Sequence, residues 1–221
     1  MRINYASRVM LCGAVLLFFT AVTGADTITH GPITIPLSTM NWSEMISVPK
    51  FNPTVGILQS IEFELSGHIV ADIMLESLDS SPATVTTDVS AEIELQRPDN
   101  SVLLITLPGI STIDNVTAFD GNIDFFGGSG RTYTDTSANK TETFTSPPPA
   151  GDLLLFTGFG NINLPIIATG TASGSGAGNL VVQFNTQASA EVTVKYIYEI
   201  PEPATLMLLS LGGLALVRRW R

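Results

Sequence analysis

Four stretches of the chain alternate apolar and polar residues with a period of two, and this pattern constrains the fold more than any other feature. In VTTDVSAEIEL, residues 85–95, Val85, Val89, Ala91, Ile93 and Leu95 fall on one side, while Asp88, Ser90, Glu92 and Glu94 fall on the other. A strand sends successive side chains to opposite faces, so this segment reads as a half-buried β-strand. AEVTVKYIYEI repeats the pattern with Val192, Val194, Tyr196, Tyr198 and Ile200, and IEFEL does so with Ile61, Phe63 and Leu65 opposite Glu62 and Glu64. HIVADIMLESL alternates less cleanly through Ile69, Ala71, Ile73 and Leu75, as a separate strand that His68 opens. No stripe of helical period and comparable length lies between them.

Thr, Val and Ile are abundant here, and Gly, Pro, Asn and Asp punctuate the chain about every ten residues, as in antiparallel sandwiches or barrels. The expectation is an all-β protein, an antiparallel β-sandwich of jelly-roll or Ig-like type. Two softer regions interrupt the alternation. Residues 124–152, DFFGGSGRTYTDTSANKTETFTSPPPAGD, read as a long loop or loosely attached hairpin, and TASGSGAGN, residues 171–179, as a flexible turn feeding the last strand.

Charge narrows the partners. Of 20 acidic side chains all but Glu202 fall within residues 26–200, whereas only Lys50, Arg97, Arg131, Lys140 and Lys195 of the ten basic ones do. Such a surface repels phosphate backbones and offers no basic stripe, which excludes a nucleic-acid partner. The single cysteine, Cys12, lies near the start, so the segment after it has no disulfide framework and must be held by its core.

Both ends read as targeting segments. Arg2 and Arg8 precede a short apolar stretch and then small residues, the build of a secretory signal peptide over residues 1–25, cleaved at Ala25, with passage through the general secretion machinery. At the other end, Pro201, Glu202 and Pro203 precede an apolar run from Ala204 to Val217 and then Arg218, Arg219 and Arg221. Fourteen residues of helix span about 21 Å, short of the ~30 Å hydrocarbon core, so the run makes a short transmembrane helix but a poor permanent anchor. Pro203 suits the first turn of a helix, Glu202 suits its positive end, and Pro201 keeps the preceding chain extended. The arginines mark the cytoplasmic side, leaving the segment before them outside.

Those residues, Pro201, Glu202, Pro203, the apolar run and Arg218, Arg219 and Arg221, resemble the PEP-CTERM sorting signal. The resemblance implies recognition near Pro-Glu-Pro by an exosortase, contact with the membrane only through the tail before processing, and then release or attachment outside. It further implies an inner-membrane-tethered precursor that reaches the cell surface or extracellular matrix of a Gram-negative bacterium. FNPTVGILQSIEFELSG, residues 51–67, is similar to the start of the choice-of-anchor E domain, a β-rich module often found before such tails. That resemblance implies one domain over residues 26–200, followed by a sorting tail over residues 201–221.

Chemistry-bearing residues are sparse. His30 and His68 show no metal-ligand spacing. Glu62 with Glu64, and Glu92 with Glu94, sit about 7 Å apart along their strands, a separation open to glycoside hydrolysis but routine on a solvated sheet face. Asp120, Asn122 and Asp124 have the i, i+2, i+4 spacing of calcium loops, yet Phe125 and Arg131 stand where an EF-hand needs glycine and glutamate. Gly174, Ser175 and Gly176 mimic a nucleophile motif without the strand-to-helix turn it requires.

No catalytic residue, metal ligand or cofactor is therefore assigned, and the chain reads as a non-enzyme with a structural or adhesive role. The alternative is a carbohydrate-binding module, with extracellular polysaccharide as partner and Trp42, Phe125, Phe126 and Tyr133 stacking on sugar rings. An extracellular glycoside hydrolase ranks third.

Overall fold

The segments IEFEL and HIVADIMLESL form one strand rather than two. A computed structural model of the chain, which describes residues 25–201, runs β3 unbroken from Ile57 to Ser77, with Ile61, Phe63, Leu65, Ile69, Ala71, Ile73 and Leu75 all inward. His68 thus lies in the middle of β3 instead of opening a strand. Gly67 keeps the alternation going because it occupies an inward position where the facing sheet comes close. A Cβ there would lie 2.7 Å from Thr106 Cγ2 and 2.9 Å from Ile93 Cδ1. Gly67→Val is expected to cost about 1–3 kcal/mol by overpacking, checked by equilibrium urea unfolding.

Nine strands and one short helix make up the described residues: β1 (Ala25–Thr39), β2 (Trp42–Pro49), β3, β4 (Ala83–Gln96), β5 (Val102–Thr106), β6 (Gly109–Val116), β7 (Gly130–Ser146), α1 (Gly151–Phe156), β8 (Asn161–Ser175) and β9 (Leu180–Glu199). They form two antiparallel sheets, one ordered β1-β9-β3-β7 and the other β2-β8-β4-β5. β6 pairs with β4 along Ala83–Ser90 and β5 pairs with it further on, from Ile93. The chain changes sheet at six of its eight strand connections, staying in one sheet only from β4 through β6, which winds the sandwich as a jelly roll. An Ig-like sandwich would place more consecutive strands side by side in one sheet. The all-β expectation holds. The flanking signal and transmembrane helices fall outside the described residues.

Residues 124–152 correct the loop reading, because 17 of them form β7, paired with β3 from Glu76↔Gly130 to Ile61↔Ser146. β7 is an edge strand, so much of its length is solvated and its sequence carries threonine and serine where a central strand would carry valine. Threonine is nonetheless a good strand former, and Tyr133, Ala138 and Phe144 pack on the core. One extra residue on β7 near Asp135 produces a bulge, with Asp135 at φ 52° and its N–H donating to Asp72 Oδ1 at 3.0 Å. In TASGSGAGN, Thr171–Ser175 belong to β8 and pair with β4, and only Gly176–Asn179 turn.

The core lies between the sheets and is dominated by the inward positions read from the sequence, Val89, Ala91, Ile93 and Leu95 of β4 and Val192, Val194 and Tyr196 of β9 among them. A smaller cluster of Leu75, Val85 and Val116 closes the far end. At the opposite end Phe51 packs edge to face on Tyr196 and Phe63 on Phe156, with centroids 5.9 and 5.1 Å apart. α1 is too short to be stable alone. It is held there by Phe156 and by Asp152, which is clamped by Arg97.

Candidate functional site

The chain enters and leaves the sandwich at one end. Ala25, exposed at the start of β1, pairs with Glu199 near the end of β9, and Glu199 also pairs with Ile57 at the start of β3. Gln59 Nε2 donates to Glu199 Oε2 at 3.2 Å. Ile200 and Pro201 continue along the rim of this end and, with Pro53, Val55 and Ile57, line a shallow cleft of about 270 Å³. The turn before β3 is built tightly against β9. Thr54 N and Oγ1 both donate to Asn52 Oδ1, Phe51 is buried, and a Cβ on Gly56 would lie 2.5 Å from Glu199 O. Of the sorting-signal residues, Pro201 is exposed, whereas Glu202, Pro203, Arg218, Arg219 and Arg221 lie outside the described residues, as does Cys12. Among the described residues no helix is long and apolar enough to cross a membrane.

The carboxylate pairs do not converge. Glu62 and Glu64 are on the outer face of β3, and Glu92 and Glu94 are on that of β4, in the other sheet. Lys195 Nζ lies 3.2 Å from Glu62 Oε2, and Gln96 Nε2 donates to Glu94 Oε2 at 2.8 Å. His68 Nδ1 lies 2.6 Å from Asn139 Oδ1 across the β3–β7 pair, and His30 packs edge-on against Tyr196. Ser175 pairs with Thr86 within the sheet, and a turn follows it where a nucleophile elbow needs a helix.

Asp120 and Asp124 are spent on their own loop, accepting from the N–H of Asn122 and of Phe126 at 3.0 Å each. Among the described residues no three His, Cys, Asp or Glu side chains are placed to hold a metal ion. The four candidate aromatics share no face. Trp42 leans on the core and donates from Nε1 to Ala188 O at 3.2 Å, on the β1–β2 side of the sandwich. Tyr133, on the opposite edge strand, donates to Asp114 Oδ1 at 2.6 Å. Phe125 is half-buried, and only Phe126 is mostly exposed.

Alternation misplaces Glu76, as it does the less deeply buried Gln96. By parity Glu76 should face water, but the loop between β6 and β7 folds over it and buries it completely. Its Oε2 accepts from Phe125 N–H at 2.8 Å, while Oε1 has no partner. Nothing in the residues around Glu76 signals this, since the cover comes from about fifty positions further on. Glu76→Gln is expected to leave stability within about 1 kcal/mol, because the amide oxygen still accepts from Phe125. Glu76→Ala should cost about 1–3 kcal/mol by stranding that N–H. Equal losses in urea unfolding for both variants would contradict this account.

Residues 199–221 match the PEP-CTERM protein-sorting motif, which supports an exported protein with a membrane-anchored precursor that an exosortase processes. No curated protein matches the chain. Among solved structures it is similar to that of the infectious bursal disease virus Gx strain, at 13% identity and TM-score 0.20, over 83% of this chain and 44% of the viral one. The infectious bursal disease virus VP2 subviral particle matches at 13% identity and TM-score 0.21, over 80% and 37% respectively. The chain therefore spans less than half the length of those viral chains, and so loose a superposition says nothing of function.

Proposed function

We propose that residues 26–200 are a non-catalytic head displayed at the cell surface or in the extracellular matrix of a Gram-negative bacterium, with a structural or adhesive role among polysaccharide. In this reading residues 1–25 are a signal peptide and residues 201–221 a sorting tail. The observation that carries it is the pairing of Asp26 with Tyr198 and of Ile57 with Glu199, where the sorting motif begins. A head whose two chain ends share one pole can be translocated, tethered and cut there while the rest projects outward. The buried Phe51, the Asn52–Thr54 turn and the crowded Gly56 give physical reasons for the residues that resemble choice-of-anchor E, and so support that assignment. Separation of the acid pairs onto two outer faces favours display over hydrolysis. The inward ties of Trp42 and Tyr133 favour a structural head over a lectin-like one.

Mass spectrometry of the exported protein tests the sorting claim. The expected mature form begins after Ala25 and lacks Arg218, Arg219 and Arg221, with its new end near Pro201–Pro203. Recovery of a surface form that still carries the arginines would sink it. Deleting residues 201–221 is expected to move the protein from the membrane and surface fractions into the soluble exported fraction.

A further inference from the structure

Six of the twelve large apolar side chains exposed among the described residues lie at the pole where the chain leaves, whereas Ile113, Ile123 and Phe126 are exposed at the far end. Val55, Ile57, Val102, Leu154, Phe159 and Ile200 all lie there, with Leu154 83% and Phe159 75% exposed. Their placement follows from the pairing. Pro49↔Asn161, Gln96↔Val102 and Ile61↔Ser146 bring the 50–57 turn, the start of β5, and the segment from Pro147 to Gly160 to the same end as Glu199. Both halves are acidic, but unequally. Asp72, Asp79, Asp120, Asp124 and Asp135 crowd the far half with Arg131 beside them, while in the half near the tail Lys50, Arg97 and Lys195 offset part of the charge of Asp26, Glu62, Glu64, Glu94, Asp99, Asp152 and Glu199.

We infer that this apolar pole rests on the lipid bilayer while the precursor is tethered, so that the head is seated in the headgroup layer rather than held above it. The inference depends on the membrane-anchored precursor reading. The tether sets the geometry. Only Glu202 and Pro203 separate Pro201 from the apolar run that begins at Ala204, so Pro201 lies at most about 11 Å from the start of that run. A helix of the 14 residues 204–217 spans about 21 Å of a ~30 Å core. So short a run would be accommodated by thinning of the bilayer or by its arginines reaching to the interface, since the Glu202 carboxylate must stay out of the hydrocarbon. Pro201 would then lie within about 11 Å of the hydrocarbon boundary, in the headgroup layer.

Side chains around Pro201 then meet lipid whether or not they attract it. Phe159, Leu154 and Ile57 are of the type that gains from burial there. The far half carries the larger excess of carboxylates and is the more strongly repelled by anionic headgroups, so charge favours the orientation that the tether at Pro201 sets. Cutting near Pro-Glu-Pro releases this seat along with the tail.

The test uses the signal-free precursor, residues 26–221, in vesicles of phosphatidylethanolamine and phosphatidylglycerol. It contains no cysteine, so Ile57→Cys, Leu154→Cys and Phe159→Cys, with Ile113→Cys at the far half as reference, each carry one environment-sensitive fluorophore. At the three tail-end positions the expected result is a blue-shifted emission and quenching by nitroxide-labelled lipid about threefold above that at position 113. Flotation of the precursor with vesicles but quenching equal to the reference overturns the seat and leaves the anchored precursor standing. Failure to float overturns both. A disulfide-linked dimer through Phe159→Cys without lipid quenching assigns the pole to a second copy of the chain and overturns the inference as well.

Discussion

Arg97→Ala is expected to destabilise the head by about 3–5 kcal/mol, the largest loss from any single polar substitution in the fold. Arg97 donates from Nε to Asp152 Oδ1 at 2.6 Å and from Nη2 to Oδ2 at 2.9 Å, and from Nη1 to Val102 O at 2.7 Å. The two side chains are 13% and 3% exposed, so this is a buried bidentate pair that water barely reaches. Hydrogen bonding to Asp152 holds the guanidinium above its ordinary value, so no accessible pH discharges it. Removing the arginine leaves Asp152 buried without its counter-charge, and Asp152 belongs to α1.

That helix has six residues and no side-chain cap at Ala150, so nothing local holds it once the clamp is gone. Its loss would also withdraw Phe156 from the aromatic cluster. A double variant, Arg97→Met with Asp152→Leu, should recover most of the loss because no orphaned charge remains. Lys140→Ala is the contrasting case. Its contact with Glu142 is at 3.2 Å, but both partners are nearly half exposed, so less than about 1 kcal/mol is expected. Equilibrium urea unfolding of residues 26–200 reads all three, and a loss below about 1 kcal/mol for Arg97→Ala would refute the clamp.

What could be read from the chain follows from where the physical information sits. Val85 to Leu95 and Ala190 to Ile200 declare themselves because each strand has one face on the core and one in water, so parity shows in the residue types. β7 hides because an edge strand has weaker demands. Its register is dictated by the backbone of β3, and threonine satisfies that as well as valine does. Gly67 hides for the opposite reason, since its small size answers to Thr106 and Ile93 in the other sheet, which no local window contains. The sorting tail is legible because its recognition is linear. The apolar pole is not, because Ile57, Val102, Leu154 and Phe159 are gathered from four segments that only the jelly-roll winding brings together.

Tyr196 joins the two kinds of information, and its substitution carries the second large effect. Alternation places it inward, and the fold makes it the largest fully buried side chain, against Phe51 and His30, with its hydroxyl donating to Pro49 O at 2.7 Å across the sandwich. Tyr196→Ala is expected to cost about 3–5 kcal/mol through the cavity it leaves, whereas Tyr196→Phe, which loses only the hydrogen bond, should cost about 0.5–1.5 kcal/mol.

Tyr196→Phe also separates from the wild type by pH. Burial pushes the Tyr196 phenol up from its ordinary value, and the hydrogen bond to Asp114, with burial and the carboxylate's charge behind it, pushes Tyr133 up as well. A phenol that ionises less readily in the folded state keeps its proton after the unfolded chain has lost one. The stability it confers is therefore complete below the unfolded value of about 10, and is lost as pH rises through the folded one. Wild-type stability should be level with respect to these groups at pH 8 and should fall beyond pH ~10, while Tyr196→Phe should fall less steeply, retaining only the Tyr133 share. Urea midpoints measured at pH 8 and at about 10.5 decide it, and an equally steep decline in Tyr196→Phe would place the alkaline sensitivity elsewhere in the fold.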